Sequence, residues 1–110
     1  MQRTISPEAL SERIEADGHA ITVIDVRKAN DYAEDPVVIP GAQRRLPETV
    51  DDWLKGIASE REVIVYCVHG HAVSSGVLDR LLAAGRRARM IEGGIEAWKA
   101  IGGATVAGPS

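Results

Sequence analysis

Two short runs of apolar, mostly β-branched residues limit the folds open to this chain more than any other feature. Residues 20–26 read AITVIDV, and residues 63–66 read VIVY. Continuous apolar runs of this length are typical of strands that are buried on both faces, as they are in parallel sheets. Helical patterns lie before and after each run. Because strands and helices alternate, the sequence predicts an α/β domain with a mainly parallel sheet.

Local signals predict the remaining elements. Ser6 is an N-cap residue followed by Pro7 and Glu8, and this order predicts a helix that Gly18 ends. Further helices are predicted over residues 28–33, 48–57, 73–84 and from 95 onward, and a third strand over 88–91. We expect a single domain in residues 1–110, with its core at about 5–101 and a flexible tail over 102–110.

Composition narrows the classes of partner. The hydrophobic fraction of 45% suits a chain with its own core, and the formal net charge of −3 shows no basic excess for binding nucleic acid. No run approaches the roughly 20 apolar residues that span a bilayer, and residues 1–11 lack the apolar stretch of a secretory signal. A single cysteine excludes an internal disulfide. We therefore expect a cytoplasmic protein without a nucleic-acid or membrane partner.

That single cysteine, Cys67, directly follows the second apolar run. In parallel sheets the ligand-binding crevice lies at the carboxyl ends of the strands. The polar loop that follows contains Gly70, which permits tight curvature, and a helix is predicted to begin near Val73 or Ser74. Converging backbone N–H groups and the positive end of the helix dipole favour a thiolate over a thiol. The sequence therefore predicts that Cys67 is a reactive thiolate.

Two other interpretations of Cys67 stay open. Free cysteines are often buried structural residues, although a polar loop with a glycine is a poor way to finish an inert core strand. A metal site is the second, because Cys67, His69 and His71 are three ligands close in sequence. His19 is the only other histidine, however, and a usual zinc set needs a fourth ligand. We therefore assign no metal ligand.

Three blocks of the sequence resemble those of the rhodanese-type sulfurtransferase family. They follow one another in the family's order and together span nearly the whole chain. The blocks are Ile24-Asp25-Val26-Arg27 with Tyr32 and Ile39-Pro40-Gly41-Ala42, then Cys67-Val68-His69-Gly70-His71, then Ile91-Glu92-Gly93-Gly94-Ile95-Glu96-Ala97-Trp98. The resemblance implies a rhodanese-like fold, in which a mostly parallel five-stranded sheet is flanked by helices on both faces.

The resemblance also implies an activity. A sulfane sulfur would move from thiosulfate or a persulfide donor to cyanide or a thiol acceptor through a cysteine persulfide, without a cofactor. Cys67 would be the catalytic nucleophile, and Asp25 and Arg27 would support the pocket. The substrate would be bound by the loop residues Val68, His69, Gly70, His71, Ala72 and Val73. The implied partners are a small sulfur donor and a thiophilic acceptor, which includes thiol proteins.

One loop position departs from the family pattern. Many members that use thiosulfate carry arginine at the sixth loop position, where this chain has Ala72. Because a guanidinium there helps to hold a sulfonate, its loss argues against thiosulfate as the physiological donor.

Two other function classes remain beside the sulfurtransferase. One is a non-catalytic or sulfur-relay interaction module. The other is an arsenate reductase or phosphatase on the same fold. Those enzymes place arginine after the cysteine and five further residues, where this chain has Val73, so the bidentate clamp for a multiply charged oxyanion is missing.

Overall fold

The computed structural model describes residues 2–109 and forms seven strands and five α-helices within them. The strands are β1 (Thr4–Ile5), β2 (Ile21–Asp25), β3 (Val37–Val38), β4 (Gln43–Arg44), β5 (Glu62–Tyr66), β6 (Ala88–Ile91) and β7 (Val106–Ala107). The helices are α1 (Pro7–Asp17), α2 (Ala29–Glu34), α3 (Val50–Trp53), α4 (Ala72–Ala83) and α5 (Gly94–Ala100). None of the helices in this described part is long and apolar enough to cross a bilayer.

The main sheet has five strands in the order β1-β6-β5-β2-β4, and every neighbouring pair is parallel. The two apolar runs become β2 and β5, which pair along their whole length from Ile21 opposite Glu62 to Asp25 opposite Tyr66. This arrangement confirms the α/β fold with a five-stranded parallel sheet. It also brings the carboxyl ends of β2 and β5 to the same edge, where Cys67 follows.

Helices cover both faces of the sheet. On one face α1 and α5 pack against a core that includes Leu10, Ile64, Ile95 and Trp98. On the other face α3 and α4 contribute to a second core, which includes Ile24 and Val65 of the sheet region and Leu78 and Leu81 of α4. Alternate residues of β2 and β5 enter opposite cores, which explains why both runs are apolar throughout.

The helix predicted over residues 48–57 is broken into three pieces, and that part of the prediction is wrong. A 3-10 turn at Pro47–Thr49 precedes α3, and another at Leu54–Gly56 follows it. The guanidinium of Arg86 donates to the backbone carbonyls of Leu54 and Ile57, at 3.1 and 2.9 Å. A partner distant in sequence therefore satisfies these carbonyls, which sequence periodicity does not register.

Residues near the carboxyl terminus have defined contacts. β7 pairs antiparallel with β3 in a separate two-stranded sheet. The Trp98 indole N–H donates to the Ala104 carbonyl at 2.8 Å, and the Tyr32 hydroxyl donates to the carbonyl of Pro109. The sequence predicted only a flexible tail here, and its flexibility stays a prediction. The strand pairing itself lies in segments too short to show a strand period.

Glu62, at the start of β5, joins three elements through ion pairs. Its carboxylate accepts from Arg13 of α1 at 3.0 Å and from Arg89 of β6 at 2.8 Å. Partial burial alone would raise the pKa of Glu62. The guanidinium groups of Arg89 and Arg13 outweigh that effect, and the pKa of Glu62 lies below its ordinary value.

This lowered pKa predicts a pH-dependent contribution to stability. Glu62→Gln is expected to lower the free energy of unfolding by about 1 kcal/mol at pH 7, where the carboxylate is charged. Because the folded pKa is depressed, the contribution is present above the unfolded value of about 4.3 and is lost as the pH falls through the folded pKa. Urea unfolding of both proteins from pH 7 to pH 3 measures the difference. A difference that stays constant over this range would contradict the prediction.

Candidate active site

Cys67 lies in the middle of the sheet edge, directly after β5 and before the amino terminus of α4. Its side chain is buried, with 6% relative exposure, and it lies at a pocket of about 250 Å³. This pocket is lined by Arg27, Lys28, Asp31, Cys67, Val68, His69, His71, Ala72 and Val73. The sulfur is therefore largely shielded from bulk water and lies at a pocket large enough for a small molecule.

The loop turns sharply at Gly70, which has φ +74°. A methyl group on Gly70 would lie 2.9 Å from both the Gly93 nitrogen and the Ile91 oxygen, closer than a Cβ atom normally approaches. Gly70 therefore does not line the pocket. It lets the loop backbone pack directly on the turn between β6 and α5.

The amino terminus of α5 fixes the first two peptides of the loop. The Ile95 N–H donates to the Cys67 carbonyl at 3.0 Å, and the Glu96 N–H donates to the Val68 carbonyl at 3.2 Å. In a trans peptide the carbonyl and the next N–H point in opposite directions. The amide N–H groups of Val68 and His69 therefore point away from α5. This orientation leaves them available to bind an anion on the side of the loop opposite α5.

This contact requires Gly94. A methyl group there would lie 2.4 Å from the Val68 oxygen and 2.5 Å from the Cys67 oxygen, and the residue has φ +64°. Gly93 also has a positive φ, so the Gly93-Gly94 turn starts α5 against the loop. The third block of the sequence thus serves the site without contributing a side chain to it.

Ser74, in the first turn of α4, is the nearest polar side chain to the sulfur. Its hydroxyl oxygen lies 3.1 Å from Cys67 Sγ, and the side chain is completely buried. The sequence prediction used Ser74 only as a possible helix start. A signal was nevertheless present, because Ser74 lies on the same helical face as Val77, Leu78 and Leu81, where a serine is out of pattern.

Asp25 and Arg27 form a buried ion pair beside the pocket. Arg27 Nη2 lies 2.7 Å from Asp25 Oδ2, and Arg27 also donates to the carbonyls of Asp35 and Val37 at 3.0 and 2.6 Å. Burial alone would lower the pKa of Arg27, but Asp25 more than offsets this and the pKa is raised. The guanidinium is thus held by the protein itself, which fits the predicted supporting role. Asp25 does not line the pocket.

The guanidinium of Arg44 is likewise held by groups of the protein itself. It donates to the Arg27 carbonyl at 2.8 Å and stacks over the Tyr32 ring at 4.2 Å. By contrast, Lys28 is exposed and lines the pocket, and the sequence analysis did not select it. Lys28 therefore brings a solvent-exposed positive charge to the pocket.

The two loop histidines and Ala72 are exposed at the pocket mouth. The ring centroids of His69 and His71 are 6.3 Å apart, and Ala72 is the first residue of α4. No cluster of three or more His, Cys, Asp or Glu side chains suited to a metal ion occurs in residues 2–109. Of the predicted substrate-binding residues, the structure brings Val68, His69, His71, Ala72 and Val73 to the pocket and leaves Gly70 behind it.

Comparison with known protein families shows to which family the chain belongs. The model of the rhodanese-like domain matches residues 6–101. The chain belongs to the rhodanese-like family. This confirms the resemblance given by the three sequence blocks. None of the curated proteins searched matches the chain.

Solved structures agree with this assignment. The rhodanese-like domain of the Anabaena protein Alr3790 is 29% identical with a TM-score of 0.81, over 97% of this chain and 80% of that one. A rhodanese-related protein of Thermoplasma volcanium is 26% identical with a TM-score of 0.80, over 94% and 97% of the two chains. A thiosulfate sulfurtransferase of Pseudomonas aeruginosa has the same fold, at 24% identity and a TM-score of 0.80, over 100% of this chain and 20% of that one.

The rhodanese-like loop should be sensitive to a methyl group at Gly94. Gly94→Ala is expected to lower the free energy of unfolding by about 3 kcal/mol or more, because a left-handed backbone and a clash with two carbonyls add together. Gly102→Ala is the matched control, since Gly102 has φ +79° but no atom within 4 Å of the added carbon. Its expected loss is only about 1 kcal/mol. Chemical denaturation measures both, and equal losses would contradict the contact between α5 and the loop.

Proposed function

We propose that this protein is a sulfurtransferase in which Cys67 carries a sulfane sulfur as a persulfide. The observation that supports this most is the position of Cys67 Sγ, at a small pocket between the end of β5 and the amino terminus of α4. The N–H groups of Val68 and His69 point away from α5, so they suit an anionic sulfur species. Membership of the rhodanese-like family supports the same chemistry.

The first half-reaction loads the enzyme. The Cys67 thiolate attacks the outer sulfur of a donor R–S–S⁻ or of thiosulfate. A new S–S bond forms to Sγ, and the original S–S bond breaks, so its electron pair leaves with R–S⁻ or with sulfite. The negative charge on the enzyme moves outward from Sγ to the terminal sulfur. No cofactor takes part in this step.

The second half-reaction unloads it. A thiophilic acceptor, cyanide or a thiolate, attacks the terminal sulfur and forms a bond to it. The S–S bond to Cys67 breaks, and its electron pair returns to Sγ as the thiolate. Thiocyanate or a new persulfide leaves. The exposed mouth of the pocket suits a small acceptor or the thiol of a protein.

The loop favours a persulfide donor over thiosulfate. The sulfonate of thiosulfate is best held by a cationic side chain at the mouth, where this chain has Ala72. Arg27 and Arg44 are held by Asp25, by backbone carbonyls and by Tyr32. Lys28 supplies a single charge without the planar fork of arginine.

The direct test of sulfur transfer is the mass of the protein after incubation with donors. With glutathione persulfide or thiosulfate, the protein should gain about 32 Da on Cys67, the mass of one sulfur, and the adduct should disappear on adding cyanide as thiocyanate forms. Cys67→Ser should show neither event, because an alcohol does not form the persulfide. Absence of the adduct and of thiocyanate with every donor tried would refute the proposal.

The effect of Ala72 on donor choice has its own test. Ala72→Arg is expected to lower the KM for thiosulfate about tenfold, because an arginine there adds a bidentate partner for the sulfonate. The KM for glutathione persulfide should change by less than about threefold. Ala83→Arg adds the same charge at the other, exposed end of α4 and controls for net charge. An equal fall in KM for both donors, or in both variants, would contradict this role of position 72.

A further inference from the structure

The Ser74 hydroxyl has more acceptors around it than it has protons. Cys67 Sγ lies at 3.1 Å, the His71 carbonyl at 3.4 Å and Met90 Sδ at 3.7 Å. The His71 carbonyl already accepts the Ser75 N–H at 3.1 Å as the first bond of α4, and a thioether is a weak acceptor. A charged sulfur is therefore the strongest acceptor within reach of this buried hydroxyl.

The hydroxyl proton rotates, so its partner depends on the state of Cys67. When Sγ is a thiol, the S–H can donate to Ser74 Oγ while the Ser74 O–H donates to the His71 carbonyl. When Sγ is a thiolate, the O–H turns to donate to Sγ. When Sγ is the inner sulfur of a persulfide, the charge lies on the terminal sulfur and the O–H returns to the carbonyl. Every state leaves the buried hydroxyl with a partner.

We infer that Ser74 is a catalytic hydrogen-bond donor that stabilises Cys67 Sγ as the leaving thiolate when the outer sulfur passes to the acceptor. The inference deepens the proposed function and rests on it. Ser74 is suited to this role because its hydroxyl contacts Sγ from α4, and Cys67 itself lies at the pocket that an acceptor would enter.

A hydrogen bond from Ser74 to Sγ affects the two half-reactions unequally. In unloading, the S–S bond breaks and its electron pair collects on Sγ, so a donor to Sγ speeds the step. In loading, the same hydrogen bond makes more thiolate available but makes each thiolate less nucleophilic, and these effects largely cancel near neutral pH. Loss of Ser74 should therefore slow unloading much more than loading.

Several charged and titratable side chains line the pocket at which Cys67 lies. The charged and titratable side chains that line its pocket come from the segment after β2 and from the loop. They are Arg27, Lys28, Asp31, His69 and His71. None of these is altered by a substitution at position 74. A difference in reaction rate between variants at position 74 therefore reflects the presence or absence of the hydroxyl.

The chain offers a matched set of variants. Ser74→Ala removes the hydroxyl, and alanine does not weaken a helix. Ser74→Thr keeps a hydroxyl at the same place. Ser75→Ala makes the same chemical change one residue along, where the hydroxyl accepts from Arg3 at 3.2 Å and does not contact Cys67. Circular dichroism and thermal unfolding show whether each variant keeps its fold.

The test measures the two half-reactions separately. Protein loaded with glutathione persulfide is mixed with cyanide in a single turnover, and Ser74→Ala is expected to unload about tenfold more slowly. Loading should change by less than about threefold. Ser74→Thr should recover most of the rate, and Ser75→Ala should match the original protein. Equal rates of unloading in Ser74→Ala and the original protein, or equal slowing in Ser74→Ala and Ser75→Ala, would overturn the inference.

A second measurement does not depend on sulfur transfer. Alkylation of Cys67 by iodoacetamide, followed by mass spectrometry from pH 5 to 10, gives the pH midpoint of thiolate formation. The midpoint should rise by about one unit in Ser74→Ala, the size of one charged hydrogen bond. An unchanged midpoint would overturn the inference even if no persulfide ever formed. A raised midpoint in a protein that never forms a persulfide would refute the proposed function and leave the hydrogen bond established.

Discussion

The site depends on two hydrogen bonds between backbones. The N–H groups of Ile95 and Glu96 donate to the carbonyls of Cys67 and Val68, and Gly94 permits the approach. These bonds turn the amide N–H groups of Val68 and His69 away from α5, which is the orientation on which the proposed function depends. They also satisfy part of the amino terminus of α5, whose first N–H groups have no partner within the helix. One contact therefore starts a helix and shapes an active-site loop.

A second support comes from the buried pair of Asp25 and Arg27. A buried ion pair needs further partners to offset the loss of hydration, and Arg27 has them in the carbonyls of Asp35 and Val37. The Tyr66 hydroxyl accepts the Ile39 N–H at 3.2 Å, and burial together with the nearby Asp25 carboxylate raises the pKa of Tyr66 well above its ordinary value. The segment between β2 and β4 is thus tied to the end of β5. Its residue Lys28 then lines the pocket from the opposite side to the loop.

The sequence predicted those features of the fold that depend on short local patterns and on buried apolar runs. The runs that became β2 and β5 fixed the parallel sheet and the edge where Cys67 lies, and the Gly-Gly turn after β6 belonged to a recognisable block. Ser74 was missed because its role depends on which side of α4 faces the sulfur. The break after α3 was missed because the carbonyls there accept from Arg86, a partner about 30 residues away that no local pattern indicates. Strands such as β3 and β7 are too short for periodicity and exist only through their pairing.

Because the loop N–H groups belong to the backbone, the proposed function has an evolutionary consequence. Amide N–H groups are the same for every residue except proline, so substitutions at exposed loop positions leave the N–H groups of Val68 and His69 in place. The side chains of His69, His71 and Ala72 are exposed at the pocket mouth, where under the proposed function they would meet the rest of an incoming molecule. Under the proposed function, selection could therefore change which molecule the protein accepts by altering the pocket mouth, while the backbone next to Cys67 stays the same. The Gly93-Gly94 turn should tolerate substitution least, because a methyl group on Gly94 would clash with the carbonyl oxygens of Cys67 and Val68.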